Sequence, residues 1–351
     1  LPVLKLIESC NLACSYCYQA GHLGPGRVMA FSTLERVLAE VGRISQGPLW
    51  LLWFGGEPTL VGLERFRQAL EISARLLHDR PVYHGLQTNA TLLDERWADL
   101  LAEHGFAVTV SLDGPAHLHD AGRPARRGGG SHAAAEAGVR ALQARGLQPR
   151  ASCVLTPVTL PHPELLVDYF ADLGVPEVDF VPATRHAAGG LEVLVTAEQY
   201  GEFMVRALER WLALGRRGFR VRMLAALARR LSGLAPRYCK LEGSCSSYVS
   251  FAWNGDVYPC DEFFALPGHC LGNVLESPLD EILASPRATQ IYSQWNSLPP
   301  DCRGCRWESV CGGGCPWERR LGGGLHQPSV LCQGLQRIYS HMQARLAPVP
   351  A

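Results

Sequence analysis

Thirteen cysteines in 351 residues constrain this chain more than any other feature, because they are not spread evenly along it. Cys10, Cys14 and Cys17 stand together at the front. Cys239, Cys245, Cys260, Cys270, Cys302, Cys305, Cys311, Cys315 and Cys332 crowd the last third, and only Cys153 stands alone. The count is odd. The opening Leu1-Pro2-Val3-Leu4-Lys5 has neither the charged region nor the long apolar stretch of an export signal. A disulfide framework is therefore not expected; clustered thiols in a reducing, cytoplasmic compartment point to metal ligation.

The rest of the composition says what surrounds the metal. Hydrophobic residues at 47% and charged residues at 19% give a globular chain with a large core. Lys+Arg and Asp+Glu are both 33, a net charge of zero, which argues against a nucleic-acid partner. No apolar run approaches the roughly 18 residues of a membrane span.

Up to about residue 181, short apolar runs alternate with amphipathic helices. Strands are expected at Val3–Ile7, Leu49–Phe54, Val82–Leu86, Phe106–Leu112, Ala151–Leu155 and Val178–Val181. Helices between them include one opened by a capping box at Ser32-Thr33-Leu34-Glu35, then Asp94–Glu103, His132–Ala144 and Pro163–Leu173. Eight such units close a full barrel. Six predict an open, partial (β/α)6 barrel of the TIM type, with its site at the C-terminal ends of the strands. The unusual motifs fall at those ends: the front cysteines after strand one, Gly55-Gly56-Glu57-Pro58 after strand two, Thr88-Asn89 after strand three, Ser111-Leu112-Asp113 after strand four. A helix over Thr196–Leu214 and the run Arg216–Lys240, with eight basic residues and no acidic one, lead to a domain boundary near residue 234. The expected units are a barrel with bridging helices over 1–234 and a small cysteine-rich domain over 235–345. In the latter, Asn254-Gly255 marks a hairpin between Val249–Trp253 and Val257–Tyr258.

Three thiolates from one loop are one too few for a closed structural zinc site. On a four-iron cluster they leave one iron open for another ligand, and Tyr16 beside the third cysteine offers an aromatic face to pack on it. Cys10-Asn11-Leu12-Ala13-Cys14-Ser15-Tyr16-Cys17, with Gly55-Gly56-Glu57-Pro58 after the second strand, resembles the signature of the radical S-adenosylmethionine (SAM) enzymes. The resemblance implies that the open iron chelates SAM and that its reductive cleavage yields a 5′-deoxyadenosyl radical. It implies that Glu57 accepts a hydrogen bond from the SAM ammonium while Gly55 and Gly56 let backbone approach the ligand. It further implies that Thr88, Asn89, Ser111 and Asp113 contact the ribose or the amino-acid end. Arg123 is a candidate carboxylate partner, with a solvated surface arginine as the plainer reading. His117 and His119 read as polar loop residues.

The rear cysteines resemble the SPASM extension of the same enzymes, a small domain with two auxiliary four-iron clusters. By that resemblance Cys239, Cys245, Cys260 and Cys315 hold one cluster and Cys302, Cys305, Cys311 and Cys332 the other, giving three [4Fe-4S] clusters in all. A structural zinc on Cys302, Cys305, Cys311 and Cys315 is the competing reading. Cys153 and Cys270 are expected to be free thiols. Val257-Tyr258-Pro259-Cys260-Asp261 resembles a string of the anaerobic sulfatase-maturating enzymes, which implies Asp261 as a general base. Ser111-Leu112-Asp113-Gly114-Pro115 and Arg127-Gly128-Gly129-Gly130-Ser131 resemble peptide-crosslinking maturases of ribosomal natural products, whereas Ala187-Ala188-Gly189-Gly190 shortens the maturase pattern. The implied substrate is a side chain of a peptide or protein, oxidised or crosslinked with electron transfer to the auxiliary clusters. Flavodoxin or ferredoxin is the implied donor, and the basic run is a candidate seat for an acidic leader peptide. The alternatives are oxidation or epimerisation of a small metabolite such as a sugar or aminocyclitol, and a zinc-stabilised binding protein on a degenerate barrel.

Overall fold

A computed structural model describes residues 1–187, 190–242, 245 and 248–346, the side chains of 185–193 excepted. Part of the Ala187–Gly190 stretch therefore lies outside the described residues. Six parallel strands lie side by side in chain order: β1 (Pro2–Ile7), β2 (Leu49–Gly55), β3 (Val82–Thr88), β4 (Ala107–Ser111), β5 (Arg150–Leu155) and β6 (Glu177–Pro182). The connecting helices are α1 (Phe31–Ile44), α2 (Leu63–Leu76), α3 (Glu95–Glu103), α4 (Ala116–Gly122), α5 (His132–Ala144) and α6 (Pro163–Leu173). Alternation along β2 shows how sequence sets the layers. Leu49, Leu51 and Trp53 are buried, while Trp50, Leu52 and Phe54 share the other, less covered face. Phe54 on that face borders the functional cavity. Fully buried side chains such as Leu4, Trp53, Phe66 and Phe170 each contribute about 1.5–3 kcal/mol by leaving water.

The sheet is larger than six strands. β7 (Thr184–Ala187) and β8 (Gly190–Val193) form a separate pair, and α7 (Ala197–Leu214) leads to β9 (Arg220–Val221), which adds a seventh parallel strand beside β6. After α8 (Arg222–Leu231) and α9 (Cys239–Glu242) the chain returns to the opposite edge. There β10 (Val249–Phe251) pairs parallel to β1, with Val3 opposite Ser250. β11 (Asp256–Tyr258) and β12 (Gly272–Asn273) extend the sheet antiparallel, to ten strands. The expected Asn254-Gly255 hairpin is present, with Gly255 at φ +89°. The cysteine-rich region thus shares the barrel's sheet and places its loops over the barrel mouth. The short helices α10 (Leu279–Ala284), α11 (Pro286–Asn296), α12 (Glu308–Cys311) and α13 (Pro316–Leu321) follow, and α14 (Cys332–Leu346) packs back on α7. That crossing is close because Gly201 faces Gly334; a Cβ on Gly201 would come 2.8 Å from the Gly334 Cα.

Two local expectations change. The capping box at Ser32–Glu35 does not form: Ala30 is the N-cap of α1 and makes no side-chain cap bond, because the helix begins one residue before Ser32. A full capping box occurs instead on α7, between Thr196 and Gln199. Half of the basic run Arg216–Lys240 is also ion-paired within the chain. Arg216 meets Asp172 (3.0 Å), Arg220 meets Glu177 (3.2 Å), Arg222 meets Asp179 (3.4 Å) and Lys240 meets Glu318 (2.8 Å). Among the described residues, no helix is long and apolar enough to cross a membrane.

Candidate active site

The loop after β1 carries Cys10, Cys14 and Cys17, and it is held in shape by the segment that follows α4. Leu12 bridges to Ala125, Ala13 N–H donates to the Pro124 carbonyl (2.8 Å), and Ser15 N–H donates to that of Gly122 (3.0 Å). Arg126 closes the ribbon by donating from Nε to the Cys10 carbonyl (2.8 Å). All three cysteines are half-buried free thiols on the wall of a cavity of about 320 Å³. Burial pushes the Cys10 thiol up to about 11, and burial also raises Cys14 and Cys17. A set of three desolvated sulfurs facing open space fits a soft, positively charged iron centre with a vacant side, which would offset the cost of their ionisation.

Gly55 and Gly56 line the same cavity, but the reason for glycine lies behind them. Gly55 sits at φ +145°, and a Cβ there would run into the Ile7 carbonyl; one on Gly56 would run into that of Ser9. The bare backbone lets the β2 exit lie against the cysteine loop, with Gly56 N–H donating to Ile7 O (2.9 Å) and Glu57 N–H to Ser9 O (2.8 Å). Glu57 is 1% exposed and accepts four hydrogen bonds. They come from Thr59 N–H (3.1 Å), Thr59 Oγ1 (2.6 Å), Thr88 Oγ1 (2.7 Å) and Asn89 N–H (2.7 Å). In this arrangement Glu57 clamps the exits of β2 and β3 together, and buried Pro58 starts the turn that presents Thr59.

Thr88, Asn89 and Ser111 reach the cavity wall, joined by Gln87, whose Nε2 donates to Ser111 Oγ (3.0 Å). Asn89 Nδ2 donates to Asn11 Oδ1 (2.9 Å), tying the β3 exit to the cysteine loop. Arg123 is not a solvated surface residue. It is 7% exposed and forks onto Asp113 through Nε (2.8 Å) and Nη2 (3.2 Å), with its guanidinium 5.3 Å from the Tyr16 ring centre. Asp113 also accepts from the Tyr16 hydroxyl and from Val154 N–H (2.8 Å). His119 is likewise no loop residue. It is fully buried in α4, accepts at Nδ1 from Asp113 N–H (3.2 Å) and pairs at Nε2 with Ser131 Oγ (2.9 Å). Asp113, Arg123 and His119 form a buried polar network that sets the Tyr16 ring beside Cys14 and Cys17.

The cysteine-rich region closes the other side. Asp261, Glu262, Lys240 and Glu318 line the same cavity as the thiol trio. Asp261 is held by the Lys5 ammonium at 2.6 Å and accepts from the Tyr18 hydroxyl, which in turn accepts from Gln19 Nε2 (2.7 Å). Burial pushes Glu262 up to about 6.

The eight remaining clustered thiols fall into two groups. Cys302, Cys305, Cys311 and Cys332 surround a small cavity of about 30 Å³. Cys239, Cys245, Cys260 and Cys315 do not line it. The zinc set of Cys302, Cys305, Cys311 and Cys315 is therefore not the grouping the fold makes. Among the described residues no three such ligands converge as a single ion requires. Cys153 is fully buried in β5, and Cys270 packs against Ala252, Tyr258 and Phe264, apart from both groups.

A parallel partial barrel with a thiol trio at its mouth, capped by two further sets of cysteines, defines an iron–sulfur oxidoreductase. Comparison with known proteins narrows the class. Residues 4–170 match the family model described as the radical SAM superfamily, and residues 239–306 match SPASM, an iron–sulfur cluster-binding domain. The chain is 30% identical to a serine-type anaerobic sulfatase-maturating enzyme of Klebsiella aerogenes, over 97% of this chain and 84% of that one. It is 27% identical to a cysteine-type anaerobic sulfatase-maturating enzyme of Clostridium perfringens, over 90% and 89%. A solved structure described as native anSMEcpe with bound AdoMet and Cp18Cys peptide superposes with a TM-score of 0.89 at 26% identity, over 98% and 97%. The chain belongs to the radical SAM superfamily, in the SPASM-bearing group of the anaerobic sulfatase-maturating enzymes. It is an oxidoreductase that takes SAM with a [4Fe-4S] cluster, and auxiliary iron–sulfur clusters in its SPASM domain.

Residue reasoning overlooked Lys5, Tyr18, Gln87 and Glu262. Only Lys5 left a plain signal, as a lone charge inside the apolar run Val3-Leu4-Lys5-Leu6-Ile7.

Proposed function

We propose that the protein is a peptide or protein maturase that oxidises a cysteine or serine side chain. The observation that carries this is the shared cavity: the thiol trio, the glycine rim and Asp261 all line it, with Asp261 tied to Tyr18, the residue directly after Cys17. Serine-type and cysteine-type maturases among the relatives, and a superposable neighbour whose title includes a bound peptide, support the substrate class. In this reading Cys10, Cys14 and Cys17 hold the SAM-binding cluster. Cys239, Cys245, Cys260 and Cys315 hold one auxiliary cluster, and Cys302, Cys305, Cys311 and Cys332 the other. Tyr16, Gly55, Gly56, Thr88, Asn89, Ser111 and Arg123 shape the SAM seat, while Glu57, Pro58 and Asp113 brace it from behind.

When bound, SAM and the clusters supply the one-electron chemistry: removal of a hydrogen atom from the side chain and acceptance of the electron it leaves. Asp261 takes the proton, which completes a two-electron oxidation. The Asp261 side chain is 24% exposed, so the carboxylate is open to a reacting group in the cavity. The test is anaerobic turnover of reduced, iron-reconstituted enzyme with SAM and two peptides differing only in cysteine or serine at one position. The expected result is 5′-deoxyadenosine together with a two-electron oxidised peptide. SAM cleavage with sugars or aminocyclitols consumed and neither peptide changed would overturn the substrate class. Asp261→Asn is expected to lower peptide oxidation by roughly 100-fold or more while SAM cleavage continues.

A further inference from the structure

A lysine in the middle of a buried strand requires a partner, because an isolated ammonium is strongly disfavoured away from water. Lys5 is fully buried, between buried Leu4 and Leu6. Its Nζ lies 2.6 Å from Asp261 Oδ1, 4.0 Å from the ring centre of Phe264 and 4.7 Å from that of Phe54. The other carboxylate oxygen of Asp261 accepts from Tyr18. One oxygen is thus fixed from the strand that precedes the front cysteines. The other is fixed by the residue directly after the third of them. Phe54 adds a contact from the β2 exit, next to Gly55.

A buried ion pair is weak evidence for a stabilising role, since a well-packed apolar side chain of similar volume serves a core at least as well. What the pair does provide is geometry, because it fixes a SPASM-domain carboxylate relative to the barrel's cysteine loop. We infer that Lys5 is a positioning residue: it holds Asp261, with Tyr18 as the second restraint, at the point where the carboxylate meets the reacting side chain. Lys5 forms and breaks no bond. The substrate proton passes to Asp261, and Lys5 keeps its own. This inference rests on the reading of Asp261 as the base.

The test measures oxidised peptide formed per 5′-deoxyadenosine in the full-length, iron-reconstituted enzyme with a peptide it turns over. Lys5→Met keeps the length of the side chain and removes its charge. Displacing a reacting group by about 1 Å costs on the order of 100-fold, so peptide oxidation should fall by that order. 5′-Deoxyadenosine formation should fall far less, with iron content and peptide KM unchanged. A merely structural lysine would lower both products together. Lys5→Arg should recover part of the coupling. Lys5→Met in an Asp261→Asn background should add little, because the two act as one unit. If Lys5→Met does not load iron, Lys5→Gln is read by the same ratio. Coupling as tight as in the parent, alongside an uncoupled Asp261→Asn, would overturn the positioning role alone. An Asp261→Asn enzyme that stays fully coupled would instead overturn the base reading, and the inference with it.

Discussion

The front and rear cysteines present the same ligand atom in opposite settings. At the front, three thiols look into about 320 Å³ shared with the glycine rim and Asp261. At the rear, four thiols enclose about 30 Å³ beside Trp307, Leu335 and Tyr339. The first leaves room for a second ligand and the second does not. The difference arises from how each loop is held. A ribbon with residues 122–126 keeps the front loop spread across the barrel mouth, whereas at the rear Cys311 on α12 and Cys332 on α14 meet Cys302 and Cys305 of the turn before α12. The same residue type can therefore border a roomy cavity in one setting and a tight one in another.

The sharpest way to break this comparison is to remove one thiol from each side. Cys14→Ala should abolish 5′-deoxyadenosine formation, with iron falling from about 12 to about 8 per chain if each set holds a four-iron cluster. Cys305→Ala should cost a similar amount of iron and most peptide oxidation, yet still cleave SAM. Equal silence from both variants in a dithionite-driven assay would mean that the rear site is not separate in function.

What the sequence made legible follows the same division. The periodicities located β1–β6 to within a residue or two and the helices over His132–Ala144 and Pro163–Leu173 at their observed bounds. These patterns are local, and packing agrees with them. β10 and β11 were legible as a hairpin, but their place in the sheet was not, because β10 joins β1 across more than 240 residues of chain; β9 and β12 were not legible because they are two residues long. The motif residues at the cavity were legible by type, but their duties were not. Glu57 reads as a ligand acceptor in sequence and Arg123 as a carboxylate partner or a solvated surface residue; only the fold shows Thr59, Thr88 and Asn89 on Glu57 and Asp113 on Arg123. Lys5 was visible as an anomaly but lacked its partner, because Asp261 is brought to it only by the rear strands.

A glycine pair gives a smaller contrast between the two regions. Gly56→Ala drives a methyl into the Ser9 carbonyl behind the cysteine loop, an overpacking that costs about 1–3 kcal/mol. It should weaken SAM binding by tenfold or more, since the glycine rim and the thiol loop move together. Gly268, in the rear region, has φ +81° and nothing within 4 Å of an added Cβ. Gly268→Ala should cost only the backbone term of about 1–2 kcal/mol and leave SAM affinity as it was. SAM titration of both variants by equilibrium dialysis checks the pair; equal affinities would show that the rim does not depend on the close contact.

The smallest expected effect separates the regions by pH. His84, on β3, accepts from Trp53 Nε1 at 3.0 Å and stacks on Phe106 with ring centres 5.1 Å apart. Burial pulls its pKa down to about 4, against about 6.5 for an unfolded histidine. Between those values the unfolded chain binds a proton that the folded one does not, so stability falls as pH drops from about 6.5 to about 4 and is unaffected by this group above that window. The full shift corresponds to about 3 kcal/mol, an upper figure reached near pH 4. His269 in the rear region shifts in the same direction, but it is only half-buried and carries less of the effect. Thermal midpoints at pH 7, 6 and 5 should therefore fall more steeply for the parent than for His84→Gln, which keeps an acceptor for Trp53 without the titration. Parallel slopes for the two proteins would remove His84 as the acid-sensitive group and leave His119, which burial also pulls down to about 4, as the next to replace.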